Sequence, residues 1–132
     1  MVASLVIFVV EDEVIIQDLL KEALIESGFE VAMASRGEEA IAMLDAAETE
    51  YRALITDVNL GGKVTGWNVA KHGRERHPDL PVIYMTGDSG HHWASEGVPN
   101  SVLVTKPFAP VQIVTALSQL LNAGSNPLPS GP

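Results

Sequence analysis

The chain has 132 residues, of which 46% are hydrophobic and 19% are charged, and these values fit one globular domain rather than two. The net charge of −9 argues against a basic surface for nucleic acid or for an anionic membrane, so cations and other proteins are the expected partners. There is no cysteine, secretory signal or apolar stretch near the roughly 18 residues of a membrane span, which excludes disulfides and thiolate metal sites and favours a cytoplasmic location.

Five short apolar runs predict buried strands. Most of them are rich in Val and Ile and are continuous rather than alternating, which is typical of strands covered on both faces of a parallel sheet. In chain order these runs are Leu5–Val10, Val31–Ala34, Ala53–Ile55, Val82–Met85 and Val102–Val104.

Helical patterns lie between the strands. The predicted helices are Val14–Ser27, Gly37–Ala47, Thr65–His77 and Pro110–Leu121. The apolar residues expected to face the core are, in the same order, Ile15, Leu19, Ala23, Leu20 and Leu24; Ala40, Ile41 and Leu44; Trp67, Val69 and Ala70; and Val111, Val114, Leu117 and Leu121. The segment Asp88–Gly97 contains two glycines and is interpreted as either a short helix or a loop.

Repeated alternation of strand and helix predicts an α/β doubly wound sheet. The domain is expected to cover residues 1–123. The last nine residues, Gly124–Pro132, are rich in Gly, Ser and Pro and are interpreted as a disordered tail or the start of a linker.

Polar side chains collect where the predicted strands end. Glu11 and Asp12 follow the first strand, Asp57 follows the third, Thr86 follows the fourth and Lys106 follows the fifth. Because sites in open α/β sheets form beyond the carboxyl ends of the strands, these five side chains are expected to converge.

Such a group has the chemistry that phosphoryl transfer needs. Crowded carboxylates repel one another unless a cation neutralises them, and a hard divalent ion such as Mg²⁺ takes oxygen ligands of this kind. A lysine can pair with phosphate oxygens, and a carboxylate can act as the nucleophile. Taken singly, each of these features fits an ordinary loop or turn, whether the acidic pair, Asp57, Thr86–Gly87 or Lys106. Their joint placement at the ends of four strands favours one site.

At this point the sequence resembles the receiver domain of two-component response regulators over about residues 4–122. The matching segments are Val9–Glu13, Thr56–Asp57, Tyr84–Gly87 and Thr105–Phe108. The resemblance implies a flavodoxin-like fold, with a five-stranded parallel sheet in the order 2-1-3-4-5 flanked by five helices.

The resemblance also implies a role for each site residue. Asp57 would be the phosphoacceptor, while Thr86 and Lys106 would bind phosphoryl oxygens. The metal, Mg²⁺ or Mn²⁺, would be held by Asp12 and Asp57, by Glu11 through water, and by the backbone carbonyl of Asn59. The Lys106–Pro107 peptide bond is expected to be cis.

Two positions depart from the family pattern. Gly61 stands where the family often has Pro, four residues after the acceptor, and Leu103 stands where most members carry a Tyr or Phe that reports phosphorylation. A switch in this chain is therefore expected to work by rearranging the segment from Gly87 to Gly97. Asn59 and Asp88 flank the site and suggest a short-lived phosphoaspartate.

The remaining polar and aromatic residues have simpler interpretations. His91 and His92 lack a third metal ligand at a suitable spacing and are interpreted as loop residues, with an interaction role open for the neighbouring Trp93. His72 and His77 are expected to be solvated, and Trp67 is expected to pack in or near the core.

The sequence therefore predicts a phosphoacceptor that is not a turnover enzyme. Its expected partners are a histidine kinase or histidine phosphotransfer protein and an unknown downstream protein, without direct binding to nucleic acid or membrane, and a homodimer stays open. Two alternatives remain: a receiver-like module that signals without phosphorylation, which Leu103 favours, and an Mg²⁺-dependent α/β phosphohydrolase. Such hydrolases usually place a second Asp two residues after the nucleophile, where this chain has Asn59.

Overall fold

The computed structural model describes residues 5–46, 48–88 and 90–125; of residues 124 and 125 it describes the backbone alone. It contains a parallel five-stranded sheet in the order β2-β1-β3-β4-β5, which confirms the predicted fold. The strands are β1 Val6–Val10, β2 Glu30–Ala34, β3 Tyr51–Asp57, β4 Val82–Thr86 and β5 Ser101–Thr105.

Five helices flank the sheet in the described part of the chain. They are α1 Val14–Glu26, α2 Gly37–Ala46, α3 Gly66–Arg76, α4 Trp93–Glu96 and α5 Pro110–Ser125, with a 3₁₀ turn at Gly90–His92 directly before α4. The start of α3 is fixed by a capping box, in which the Thr65 side chain accepts a hydrogen bond from the Asn68 backbone and the Asn68 side chain accepts one from the Thr65 N–H.

The sheet separates two apolar cores. Alternate residues of β1 point to opposite faces, so Ile7 and Val9 meet α1 and α5, whereas Phe8 and Val10 meet α2 and α3. The residues of β1, β3 and β4 that form these cores are fully buried, whereas the edge strands β2 and β5 are partly exposed. This burial on both faces accounts for the continuous apolar runs in the sequence.

The apolar stripes of two helices differ from the prediction. On α1, Leu20 and Leu24 are fully buried, whereas Ile15 is 75% and Leu19 47% exposed. On α5, Val111 is 64% exposed and Ile113 takes a core position instead. Both sequences carry more apolar residues than one helix face can hold, so the spacing alone left the inward face ambiguous.

The helix boundaries lie close to those predicted. The segment after β4 is the 3₁₀ turn followed by one turn of helix, as the short-helix alternative proposed; its Ser89 and the predicted last residue of α2, Ala47, lie outside the described residues. Helix α5 continues to Ser125, beyond the predicted end at Leu121, while residues 126–132 of the proposed tail lie outside the described part. None of the helices within the described ranges is both long and apolar enough to cross a membrane.

Candidate functional site

The carboxyl ends of the strands bring the predicted residues to one edge of the sheet. Glu11 directly follows β1, Asp57 is the last residue of β3, Thr86 is the last residue of β4 and Lys106 directly follows β5. A backbone hydrogen bond of 2.8 Å from the Lys106 N–H to the Thr86 carbonyl extends the pairing of β4 with β5 by one step. The parallel register therefore carries these side chains to the same edge, as the sequence predicted.

Lys106 is the centre of the site. Its Nζ lies 3.1 Å from Asp57 Oδ2 and 3.2 Å from Glu11 Oε1. A third carboxylate, Glu13, lies 3.5 Å from the same nitrogen through its Oε1. The pairing with Glu13 was not predicted, because a glutamate at the start of a helix is ordinarily a solvated end residue. The expected cis peptide bond between Lys106 and Pro107 is confirmed.

Three carboxylates crowd together at this edge of the sheet. Single oxygen atoms of Glu11, Asp12 and Asp57 all lie within 4.8 Å of one another. The residue Glu11 is fully buried and Asp57 is 5% exposed, whereas Asp12 faces solvent. Such a group is electrostatically costly unless a cation sits among the carboxylates.

The crowding shifts the acid–base behaviour of the site. Burial raises the pKa of Glu11 to about 7, with the Asp57 charge adding to the effect. Burial also raises the pKa of Asp57, and the charge and hydrogen bond of Lys106 offset this only in part. For Lys106 burial works in the lowering direction, but the charges of Asp57 and Glu11 outweigh it and the pKa is raised. The lysine therefore stays protonated beside two carboxyl groups whose ionisation is disfavoured by burial.

The oxygen atoms of Glu11 and Asp57 are held in place by backbone groups. Glu11 Oε2 accepts a hydrogen bond of 2.9 Å from the Glu13 N–H, so both oxygens of Glu11 are engaged. Asp57 Oδ1 accepts one of 3.3 Å from the Asn59 N–H. This donor set of fixed carboxylate oxygens with one solvent-facing member fits a hard divalent cation that keeps several waters, as Mg²⁺ does.

A glycine that the prediction overlooked shapes the loop beneath the acceptor. The Gly66 N–H donates a hydrogen bond of 2.8 Å to the Val58 carbonyl. A Cβ atom on Gly66 would collide with the Asp57 carbonyl group and with the Val58 Cα atom. Only glycine allows the start of α3 to approach the acceptor strand this closely. A glycine at a helix start is visible in the sequence, but the backbone that it touches is not.

The loop after β3 also explains one departure from the family pattern. Gly61 has a φ of 75°, and its position is such that a Cβ atom would lie 3.8 Å from Asp12 Oδ2. Proline fixes φ near −65° and is incompatible with this backbone. The glycine therefore allows the loop a positive φ beside the acid cluster.

The segment after β4 packs against Leu103. Thr86 is buried, and a Cβ atom on Gly90 would lie 3.8 Å from its Cγ2 and 3.3 Å from Leu103 Cδ2. Leu103 is paired with Tyr84 in the sheet register, and the Tyr84 hydroxyl accepts a hydrogen bond of 3.1 Å from the Val98 N–H. The roles expected for Thr86 and for the segment stay predictions.

Most of the other predicted side-chain environments agree with the structure. Trp67 is 7% exposed and packs on Tyr84, and His91 and His92 are exposed in the 3₁₀ turn. Among the described residues, neither histidine belongs to a group that could hold a metal ion. His77 is exposed as expected, whereas His72 is only partly exposed and its Nε2 lies 2.7 Å from Asp45 Oδ1, because α2 and α3 pack side by side and bring the two side chains together.

The fold and site together define a class of protein: a doubly wound α/β domain with an acidic, lysine-bridged site at the carboxyl edge of its sheet. The family model described as the response regulator receiver domain matches residues 7–118. The chain belongs to this family of two-component signalling domains, and the phosphohydrolase alternative is not favoured.

Individual relatives agree with this assignment. The chain is 33% identical to the transcriptional regulatory protein SrrA of Staphylococcus aureus over 117 residues, which cover 87% of this chain and 47% of SrrA. The crystal structure of a response regulator receiver protein from Sinorhizobium medicae is 38% identical, covers 91% of this chain and 96% of that one, and has a TM-score of 0.87. The chain spans about half the length of the curated relatives it matches.

A more distant structure shares the fold. The receiver domain of the sensor histidine kinase PA1611 from Pseudomonas aeruginosa is 20% identical, covers 91% of this chain and 99% of that one, and has a TM-score of 0.77. That receiver domain carries a magnesium ion coordinated in its active-site cleft.

Proposed function

We propose that Asp57 accepts a phosphoryl group from a histidine kinase or histidine phosphotransfer protein. The observation that carries this proposal is the contact of 3.1 Å between Lys106 Nζ and Asp57 Oδ2 inside the carboxylate group of Glu11, Asp12 and Asp57. A carboxylate paired with a protonated lysine and set in an acidic pocket suits the attack of an oxygen on phosphorus.

The metal part of the proposal follows from the same residues. Asp12 and Asp57 would ligate Mg²⁺ or Mn²⁺ together with the Asn59 carbonyl. Glu11 would act through water, and Lys106 and the Glu13 N–H hold its two carboxylate oxygens in place. When bound, the cation neutralises charge on the carboxylates and on the phosphoryl oxygens.

The chain's own residues account for the remaining chemistry. One oxygen of Asp57 forms the new P–O bond as the P–N bond to the donor imidazole breaks, and the imidazole nitrogen keeps the bonding electron pair. Lys106 stabilises the negative charge that spreads over the phosphoryl oxygens. The Thr86 hydroxyl, which lies at the same sheet edge, binds a phosphoryl oxygen once the group has arrived. The chain is then a self-modifying substrate rather than a turnover enzyme.

The surface next to Lys106 suits a protein donor. On α1, Val14 is 65% and Ile15 is 75% exposed, and a cavity of about 320 Å³ lies between the same helix and the segment that follows β5. That cavity is lined by Ile16, Leu19, Lys106, Pro107 and Phe108. Exposed apolar groups of this kind mark protein interaction sites. We propose that the donor protein docks on this face, which lets its phosphohistidine reach Asp57 beside Lys106.

The output is proposed to be a protein interaction on the face formed by α4, β5 and α5. Because Leu103 stands at the usual aromatic position, we propose that the signal reaches this face through rearrangement of the segment from Gly87 to Gly97. Action in the cytoplasm, without direct contact to nucleic acid or membrane, is part of the same proposal. A homodimer of the phosphorylated form remains an outcome that sedimentation can test.

Phosphorylation by a small-molecule donor tests the proposal. The protein is incubated with Mg²⁺ and acetyl phosphate, and its intact mass is read for the wild type and for Asp57→Asn. We expect one added phosphoryl group on the wild type and none on the variant or in the presence of a chelator. An unmodified wild type in Mg²⁺ would contradict the proposal and select the phosphorylation-independent module.

A further inference from the structure

The side chain of Gln17 joins three segments that meet beside the acid cluster. Its Nε2 donates one hydrogen bond to the Glu11 carbonyl oxygen at 2.5 Å and one to Ser35 Oγ at 3.1 Å. Glu11 follows β1, Ser35 follows β2, and Gln17 lies in the first turn of α1. A primary amide has two N–H groups, so this pair of contacts uses both.

The carbonyl that Gln17 binds belongs to the peptide that carries Asp12. A peptide unit is planar, so the Glu11 carbonyl and the Cα atom of Asp12 lie in one rigid plane. A hydrogen bond to that carbonyl therefore fixes the plane from which the Asp12 side chain projects. Asp12 faces solvent, so its position depends on its backbone more than that of the buried Glu11 does.

Among the described residues, the other hydrogen bonds of Glu11 engage its N–H and its carboxylate, whereas Gln17 binds its carbonyl. The Glu11 N–H donates to the Ala34 carbonyl at 3.0 Å, and its carboxylate is held by Lys106 and by the Glu13 N–H. Glu13 is the N-cap of α1, and its side chain makes no capping hydrogen bond. The start of α1 is thus connected to the end of β1 by the Gln17 side chain rather than by a side-chain cap.

We propose that Gln17 is a positioning residue for the divalent cation, and this rests on the proposed function of the site. By holding the Glu11–Asp12 peptide in one orientation, Gln17 keeps Asp12 preorganised to ligate the ion, so the ion does not have to order this turn on binding. One neutral hydrogen bond of this kind corresponds to about a two- to tenfold change in affinity. Loss of Gln17 should weaken Mg²⁺ binding by about that factor.

Calorimetric titration of Mg²⁺ into the full chain tests this role without any phosphoryl donor. The variant Gln17→Met keeps the length of the side chain but removes both N–H donors. The matched control is Gln119→Met, which makes the same exchange on an exposed position of α5. Gln17→Asn is the second variant, because it stays polar but is one methylene too short for the Glu11 carbonyl.

Urea unfolding in chelator, run in parallel, separates positioning from a merely structural role. We expect both Gln17 variants to raise the Kd for Mg²⁺ while the Gln119 control does not, and saturating Mg²⁺ to restore the rate of phosphorylation. A folded variant with an unchanged Kd, or with lower unfolding stability alone, overturns the inference and leaves the proposed function intact. A wild type that binds no Mg²⁺ overturns both.

Discussion

Replacing Lys106 by Met should weaken the metal-free fold and at the same time strengthen Mg²⁺ binding. Lys106 Nζ lies 3.1 Å from Asp57 and 3.2 Å from Glu11, and its side chain is only 18% exposed. The change removes the one cation that the structure places among these carboxylates within the described residues. Both acids would then face each other without a compensating positive charge, whereas an incoming Mg²⁺ would no longer compete with the lysine.

The size of the effect can be worked from these distances. Two unit charges about 3.1 Å apart attract by about 5 kcal/mol at an effective dielectric constant of about 20. Desolvation offsets much of this, and removing one partner of a buried ion pair costs about 3–5 kcal/mol in measured cases. Because Lys106 is partly exposed and water can reach Asp12, we expect a loss of about 1–3 kcal/mol in the free energy of unfolding.

Urea unfolding in chelator measures the stability, and calorimetric titration measures the Mg²⁺ affinity. The matched control is Lys71→Met, which breaks an exposed ion pair with Glu96 of 2.9 Å and should cost about 0–1 kcal/mol. We expect the Kd for Mg²⁺ of Lys106→Met to fall by several-fold while the control stays at the wild-type value. A Lys106 variant as stable as the control, or one that binds Mg²⁺ more weakly, would refute the electrostatic account of the site.

Three further predictions address the loop, the protonation of the site and the lifetime of its product. Gly66→Ala should lower the free energy of unfolding by about 1–3 kcal/mol and slow phosphorylation, because the new methyl group meets the backbone of the acceptor strand. Denaturant unfolding measures the stability, and mass spectrometry measures the initial rate of phosphorylation. A variant that matches the wild type in both would show that the loop adjusts to the methyl group. Because the pKa of Glu11 is raised to about 7, a proton competes with Mg²⁺ below that pH. The Kd for Mg²⁺ should therefore rise by up to about tenfold from pH 8 to pH 6 in the wild type and stay nearly constant in Glu11→Gln. An equal dependence of the Kd on pH in the two proteins would count against the raised pKa of Glu11. The exposed Asn59 and Asp88 should give a short-lived phosphoaspartate, and a half-life of many hours in the purified protein would contradict that expectation.

The strands of the sheet could be predicted because their positions are visible in the local amino-acid composition. The three central strands are buried on both faces, and such strands must be apolar throughout, so their runs are visible without any contact information. The side of α1 that faces the core was not decided in this way, since Ile15 and Leu19 are as apolar as the buried Leu20 and Leu24. Only packing against α5 and the sheet selects between the two stripes.

The residues of the site also differ in how far the sequence could predict them. Asp57 and Lys106 were predictable because both come directly at strand ends, where parallel topology forces convergence. The contact of Lys106 with Glu13 and the bridge from Gln17 depend on the angle at which α1 leaves β1, which no local pattern encodes. The same holds for Gly66, whose neighbour is a backbone carbonyl rather than a side chain.

The most direct measurement identifies the residue that carries the phosphoryl group. The phosphorylated protein is treated with borohydride, which reduces an acyl phosphate on aspartate to the alcohol of homoserine, and the peptides are sequenced by tandem mass spectrometry. The account predicts reduction at Asp57 alone, dependent on Mg²⁺. Reduction at Asp12 or another carboxylate, or a phosphoryl group on His or Ser, would contradict it.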